Sequence, residues 1–245
     1  MRTTRLNKYI ASSGLCSRRK ADELIESGCV MVNGKKITEL GFGVQHKDKV
    51  FVNGKMIHPV KHEYYRFYKP AGYITTADDE NGRKTIYDLI PKNLHHLKPV
   101  GRLDKDSTGL IILTNDGDLI NELTHPSAKV PKLYRVSVNA KITQNDIDTM
   151  YKGIKFEDGK TAYAQVDVLE VDKNSTSMEI LLYQGINRQI RRMFEFLGYK
   201  VLTLKRIQHA TLTLEGLKRG EVKPIKPGQI KDLRNFLNRI ASKNA

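Results

Sequence analysis

Apolar positions in the first sixty residues change period twice. Leu6, Tyr9 and Ile10 fall at helical spacing after Thr4, which can cap a short helix that ends near Gly14. Ala21, Leu24 and Ile25 repeat the spacing after Ser17, a second capping residue, with Gly28 past the end. The period then shortens. Val30-Met31-Val32-Asn33-Gly34-Lys35-Lys36-Ile37 reads as two short strands about an Asn-Gly turn, whose two central residues must accept positive φ. The phrase returns as Val50-Phe51-Val52-Asn53-Gly54-Lys55-Met56-Ile57 and predicts a second hairpin, a local echo rather than a solenoid.

Periodicity is lost between His58 and Tyr64, around Pro59, which marks a hinge and predicts two domains, residues 1–60 and 64–245. Beyond the hinge, strand-like runs cover 64–68, 110–114, 133–139, 162–171, 177–182 and 210–214. A helix from Arg188 onward would place Ile190, Met193, Phe194 and Leu197 on one side and Arg188, Arg191 and Arg192 on the other. The tail from Gln229 carries Ile230, Leu233, Phe236, Leu237 and Ile240 at helical spacing. Many strands without regular alternation of strand and helix predict an α+β fold. A small α/β module is followed by a domain built on a mostly antiparallel sheet.

Charge narrows the partners. Lys and Arg number 42 against 27 Asp and Glu, a net +15, which points to a polyanion and above all to nucleic acid. Arg18, Arg19 and Lys20 fall in the first turn of the second predicted helix, where cations oppose the helix dipole. Three together predict a bound phosphate; the competing reading is a solvated face. The arginines at 188, 191 and 192 carry the same two readings. Cys16 and Cys29 form no CxxC pair, and no P-loop, dinucleotide fingerprint or metal-ligand cluster is present. The expectation is no cofactor, no metal and no disulfide. No apolar run approaches the roughly 18 residues of a membrane span, and the N-terminus lacks the apolar core of a signal peptide, so a cytoplasmic, monomeric protein without membrane contact is expected.

Residues 99–118 carry the candidate chemistry. A polar loop, 104–108, stands between Gly101 and an apolar strand that ends in an Asn115-Asp116-Gly117 turn. Arg102 can hold a neighbouring carboxylate ionised. Chemistry alone leaves Asp104, Asp106, Asp116 and Asp118 open. Tyr134 shares a strand face with Val136 and Val138, as either a core or a ligand-facing residue.

Resemblance chooses among these. Arg5-Leu6-Asn7-Lys8-Tyr9-Ile10, the stretch from Gly14 to Leu24, and Val32-Asn33-Gly34 together resemble the S4 RNA-binding module. Gly101-Arg102-Leu103-Asp104, with Ser107-Thr108-Gly109-Leu110 and Leu113-Thr114-Asn115-Asp116-Gly117, resembles the active-site motif of pseudouridine synthases. Lys69-Pro70-Ala71-Gly72, Lys132-Leu133-Tyr134 and Gly185-Ile186-Asn187-Arg188-Gln189-Ile190-Arg191-Arg192-Met193 are similar to that family's first, tyrosine and arginine motifs. The chain thus resembles the RsuA/RluB/RluE/RluF family of bacterial ribosomal RNA pseudouridine synthases.

The resemblance implies isomerisation of uridine in ribosomal RNA without cofactor or metal. It implies Asp104 as nucleophile or base, Arg191 as its buried partner with Arg102 second, and Tyr134 stacked on the base. RNA contacts are implied at Arg5, Lys8, Arg18, Arg19, Lys20, Asn33, Arg188 and Arg192. The target uridine would be flipped, since its glycosidic bond is inaccessible in a paired stack. The 104–107 loop and the 185–189 phrase look closer to the RluF type, which favours large-subunit RNA. His125-Pro126-Ser127 resembles the RluB branch, and small-subunit RNA or transfer RNA stays open. A non-catalytic S4 protein would suit the charge and the first sixty residues but leaves the later motifs unexplained.

Overall fold

Asn33 and Asn53, each followed by glycine, set the geometry of the N-terminal unit. The structure, a computed structural model, describes residues 3–76 and 79–244. It divides into two units: one runs to Glu63 with Asn115–Gly117 added, and the other comprises Tyr64–Thr114 and the residues from Asp118 onward.

The first unit contains β1 (Thr4–Arg5), α1 (Leu6–Ser12), α2 (Arg18–Glu26), β2 (Val30–Val32), β3 (Lys35–Ile37), β4 (Gly43–Val44), β5 (Val50–Val52) and β6 (Lys55–Ile57). Asn33 and Gly34 have φ of 51° and 80°, and Asn53 and Gly54 have 49° and 75°. These are the turns that match the twist of two-residue hairpins. The hairpins join in the order β3-β2-β5-β6. Leu6, Ile10, Ala21 and Ile25 from the helices form one core with Val30, Val32, Val50 and Val52. Ser17 caps α2 by accepting from the Lys20 N–H. Thr4 does not cap α1. It is committed to β1, paired with Val44 of β4, and Arg5 holds the cap position without a side-chain bond. The helix entry is fixed instead by the Leu6 N–H donating to the Phe42 carbonyl.

The second unit contains β7 (Tyr64–Lys69), β8 (Lys98–Pro99), β9 (Thr108–Thr114), α3 (Gly117–Thr124), β10 (Lys132–Val138), α4 (Gln144–Lys152), β11 (Ile154–Lys155), β12 (Thr161–Ala162), β13 (Gln165–Val171), β14 (Thr176–Leu182), α5 (Gln189–Phe196), β15 (Val201–His209), β16 (Leu212–Thr213), β17 (Val222–Pro224) and α6 (Pro227–Asn244). The main sheet runs β13-β14-β10-β15-β9-β7-β17, with β16 on β15 and β8 on β9. Every pairing in it is antiparallel except β15 with β9.

Leu110, Ile111, Ile112 and Leu113 of β9 are wholly buried because both faces of the sheet are covered. Leu110 and Ile112 share a core with Leu119 and Leu123 of α3 and Leu233 and Leu237 of α6. Ile111 and Leu113 share the other with Met150 of α4 and Ile190, Met193 and Phe194 of α5. Among the described residues no helix is long and apolar enough to cross a membrane.

Three features depart from the sequence expectations. The longest strand, β15, covers a stretch not predicted, and the strand expected at 210–214 is only Leu212–Thr213. The run expected at 162–171 is broken into β12 and β13.

Candidate active site

The loop from Gly101 to Ser107 joins β8 to β9, and its main chain is tied down from beneath. Lys69, the last residue of β7, pairs with Gly109 at the start of β9, which brings its side chain under the loop. Lys69 is fully buried. Its Nζ donates to the carbonyls of Ser107 at 2.7 Å, Asp104 at 3.0 Å, Pro70 at 3.1 Å and Lys105 at 3.2 Å. Burial pushes its pKa down to about 8, against the opposing pull of Asp104 and Asp106. The Gly72 N–H donates to the Lys105 carbonyl. Thr75 Oγ1 donates to the Leu103 carbonyl at 2.9 Å and accepts from the Leu103 N–H at 3.2 Å. The first motif, 69–72, and Thr75 together form a cradle for the loop.

Above the cradle lies a pocket of about 270 Å³, at the low end for small-ligand sites. Asp104 lines it, with its carboxylate 29% exposed. Tyr134 lines it too, although only 9% exposed and part of the hydrophobic core, so it serves as core and as pocket wall at once. In the sheet Tyr134 stands between Ile180 of β14 and Arg206 of β15.

The arginine nearest Asp104 is Arg188, with Nη1 4.0 Å from Oδ2. Arg188 adopts a left-handed conformation, φ 49°, at the cap position of α5. The expectation that Arg191 pairs with Asp104 is corrected. The helix begins at Gln189, so Arg191 lies almost a turn further on, where Nη2 reaches the Asp106 carbonyl at 3.5 Å. Its Nε is buried without a hydrogen-bond partner. Arg102 is exposed and makes no ion pair with Asp104.

Two of the expected RNA contacts have other work. Arg192 makes a double contact with Asp158, at 3.1 and 3.3 Å, and its guanidinium lies 3.8 Å over the Phe156 ring. Asn33 makes the hairpin turn, its amide donating to Asp48 and accepting from the Lys49 N–H. Arg5 is exposed at the start of α1, and Lys8 is half-buried within it. Arg18, Arg19 and Lys20 are exposed in the first turn of α2, where Lys20 pairs with Glu23 at 2.6 Å.

Three pocket and cradle residues were not singled out from sequence: Thr75, Arg206 and His209. Arg206 is 2% exposed, donates from Nε to the Leu110 carbonyl at 2.8 Å, and has a buried Nη2 without a partner. His209 is fully buried, with Nδ1 unpartnered. Burial, Arg206 and Lys132 hold His209 well below the ordinary histidine range, so it is neutral at pH 7. Lys132 falls to about 8 through burial and the charge of Arg206. Such orphaned polar atoms concentrate at functional sites. Their signal in the sequence was weak, because an isolated Lys, Arg or His in a strand reads as solvated.

A carboxylate held by its own main chain, an arginine beside it and a cationic wall suit covalent or proton chemistry on an anionic polymer, which makes the second unit an enzyme acting on nucleic acid. Residues 4–50 match the S4 domain, and residues 63–196 match RNA pseudouridylate synthase. Over 232 residues the chain is 41% identical to ribosomal large subunit pseudouridine synthase B of Bacillus subtilis, covering 94% of this chain and 95% of that one. Over 243 residues it is 38% identical to the dual-specificity RNA pseudouridine synthase RluF of Escherichia coli, covering 98% and 81%. A crystal structure of a pseudouridylate synthase is similar at a TM-score of 0.68 and 26% identity, covering 94% of this chain and 99% of that one. The chain belongs to the RNA pseudouridylate synthase family and carries an S4 domain ahead of the catalytic one.

Proposed function

We propose that the chain converts a uridine of large-subunit ribosomal RNA to pseudouridine, with Asp104 as the group that acts on the nucleoside. Residues 1–60 serve as the RNA-gripping domain and 64–245 as the catalytic domain. The observation that carries the reading is the Asp104 carboxylate lining a nucleoside-scale pocket while Lys69, Gly72 and Thr75 fix the main chain on both sides of it. Support for the substrate comes from the similarity to the Bacillus subtilis enzyme named for the large ribosomal subunit.

The reaction is an isomerisation. The N1–C1′ bond breaks, uracil turns, C5 joins C1′, the C5 proton leaves and N1 takes up a proton, so no oxidant or second substrate is consumed. Asp104 adds to the nucleoside or removes a ribose proton; both routes need it ionised, and Arg188 supplies the positive charge beside it. Tyr134 provides a flat apolar wall for the flipped base and a hydroxyl for the C5 proton. Arg5, Lys8, Arg18, Arg19 and Lys20 contact RNA phosphates.

Pseudouridine mapping of ribosomal RNA, from cells with and without the protein, tests this reading. One mark should vanish and return with wild type but not with Asp104→Asn, which should bind RNA within a few-fold of wild type. A mark restored by Asp104→Asn sinks the assignment of the carboxylate. Arg188→Ala should slow turnover more than Arg191→Ala in single-turnover assays, and the reverse order would return Arg191 to the role of partner.

A further inference from the structure

Thr124, Gln184, Gly185, Ile186 and Asn187 line the Asp104 pocket and also a second groove of about 790 Å³. Tyr151, Tyr163 and Tyr183 line that groove and are 67%, 49% and 42% exposed. The chain's other tyrosines are all buried or half-buried. Single exposed aromatics are ordinary surface scatter, but gathering every exposed tyrosine into one groove is not.

Their placement is built. Gln165 and Leu181 pair where β13 meets β14, and Tyr163 and Tyr183 lie two residues beyond that pair, just outside the ends of the two strands. All four of these residues line the groove. The Tyr163 ring lies against Gly153, where an added Cβ would come within 2.5 Å of ring atom Cε1. Gly153 has φ 103° and directly follows α4, which carries Tyr151. The Tyr163 N–H donates to Gln184 Oε1 at 2.9 Å, and its carbonyl accepts from Gln189 Nε2 at 3.1 Å. Gln189 Nε2 also donates to Gln184 Oε1 at 3.2 Å. Two amides therefore fasten the groove to the segment that carries Arg188. Among the described residues Lys129 and Lys160 line the groove, Lys160 with its Nζ 3.5 Å from Asp158, and no carboxylate lines it.

The geometry points to a second subsite, in which unpaired RNA bases neighbouring the target uridine stack on Tyr163 and Tyr183 while Lys129 and Lys160 meet their phosphates. Aromatic faces interleaved with cations are the composition of single-strand binding. The shared wall makes the groove continuous with the Asp104 pocket, and the assignment of its occupant rests on the proposed reaction there.

Binding is tested on the full chain carrying Asp104→Asn, with an oligouridylate of about ten nucleotides as probe. The chain has no tryptophan, so quenching of tyrosine emission by stacked bases is directly readable. Tyr163→Ala with Tyr183→Ala should weaken binding about thirtyfold or more, since stacking contributes ~1–3 kcal/mol per base and two bases lose their ring. The same pair changed to Phe should bind within about twofold of the parent, because stacking needs the ring and not the hydroxyl. The Phe pair also serves as the folding control by circular dichroism. With Asp104 intact, the Ala pair should lower kcat/KM on RNA with unpaired flanks and leave kcat at saturation unchanged. Unchanged oligouridylate affinity in the Ala pair overturns the subsite. So does a Leu pair that binds as well as the Phe pair, or a dimer that the Ala pair dissolves without loss of RNA affinity. Because binding is read without turnover, loss of the subsite and loss of the proposed reaction remain separate results.

Discussion

Lys69 is the residue on which the site turns. A buried ammonium is costly unless its protons are accepted, and here four carbonyls share them. Its pKa near 8 makes the anchor sensitive to pH: below that value the ammonium holds the loop, and above it a proton is lost. An alkaline limb near pH 8 is expected in the single-turnover rate. Lys132 also falls to about 8, so the limb should persist in Lys132→Gln, and its disappearance there would assign it to Lys132 instead. Unfolding does not account for such a limb. Both lysines lie below their ordinary 10.5 in the folded state, so between about 8 and 10.5 the unfolded chain binds more protons. The stability they contribute therefore rises with pH across that window. At this scale the loop that brings Asp104 to the pocket was legible through its phrase, while the arginine nearest to it was not. Arg188 and Arg191 are separated in role by where α5 begins, a boundary that spacing alone places poorly.

At the scale of elements, the parallel contact of β9 with β15 sets the position of the loop. Gly109 pairs with Arg206, has φ 121°, and an added Cβ would lie 2.6 Å from the Arg206 nitrogen. Gly109→Ala should cost about 3 kcal/mol or more in chemical denaturation, combining backbone strain with a clash against main chain. A loss below about 1 kcal/mol would mean that the two strands can part without penalty. The elements read correctly from sequence are those with local causes: the Asn-Gly hairpins, α2 with its Ser17 cap, and the apolar run of β9. β15 was missed because Lys205, Arg206, Gln208 and His209 interrupt its apolar pattern. Arg206 and His209 are buried there by partners distant in sequence, the Leu110 and Leu123 carbonyls. No single-sequence periodicity carries that information.

For the whole molecule, the net +15 predicts a salt-dependent grip on RNA. Replacing Arg18, Arg19 and Lys20 with Ala together should weaken binding at low salt and flatten the log–log salt slope. Each phosphate left without its cation reduces that slope by about 0.7 on single strands and about 0.9 on duplex. Lys20 is already paired with Glu23, so a change of fewer than three phosphates is expected. An unchanged slope would remove this cluster from the RNA interface. The cradle beneath Asp104 has a different consequence. Lys69, Gly72, Thr75 and Arg191 all grip the loop through main-chain groups, which every amino acid presents alike. The side chains of Lys105 and Asp106, both exposed, are left out of that grip. They can be exchanged without disturbing those main-chain contacts, a form of mutational tolerance by which the outer face of the loop can be refitted while its anchorage is kept.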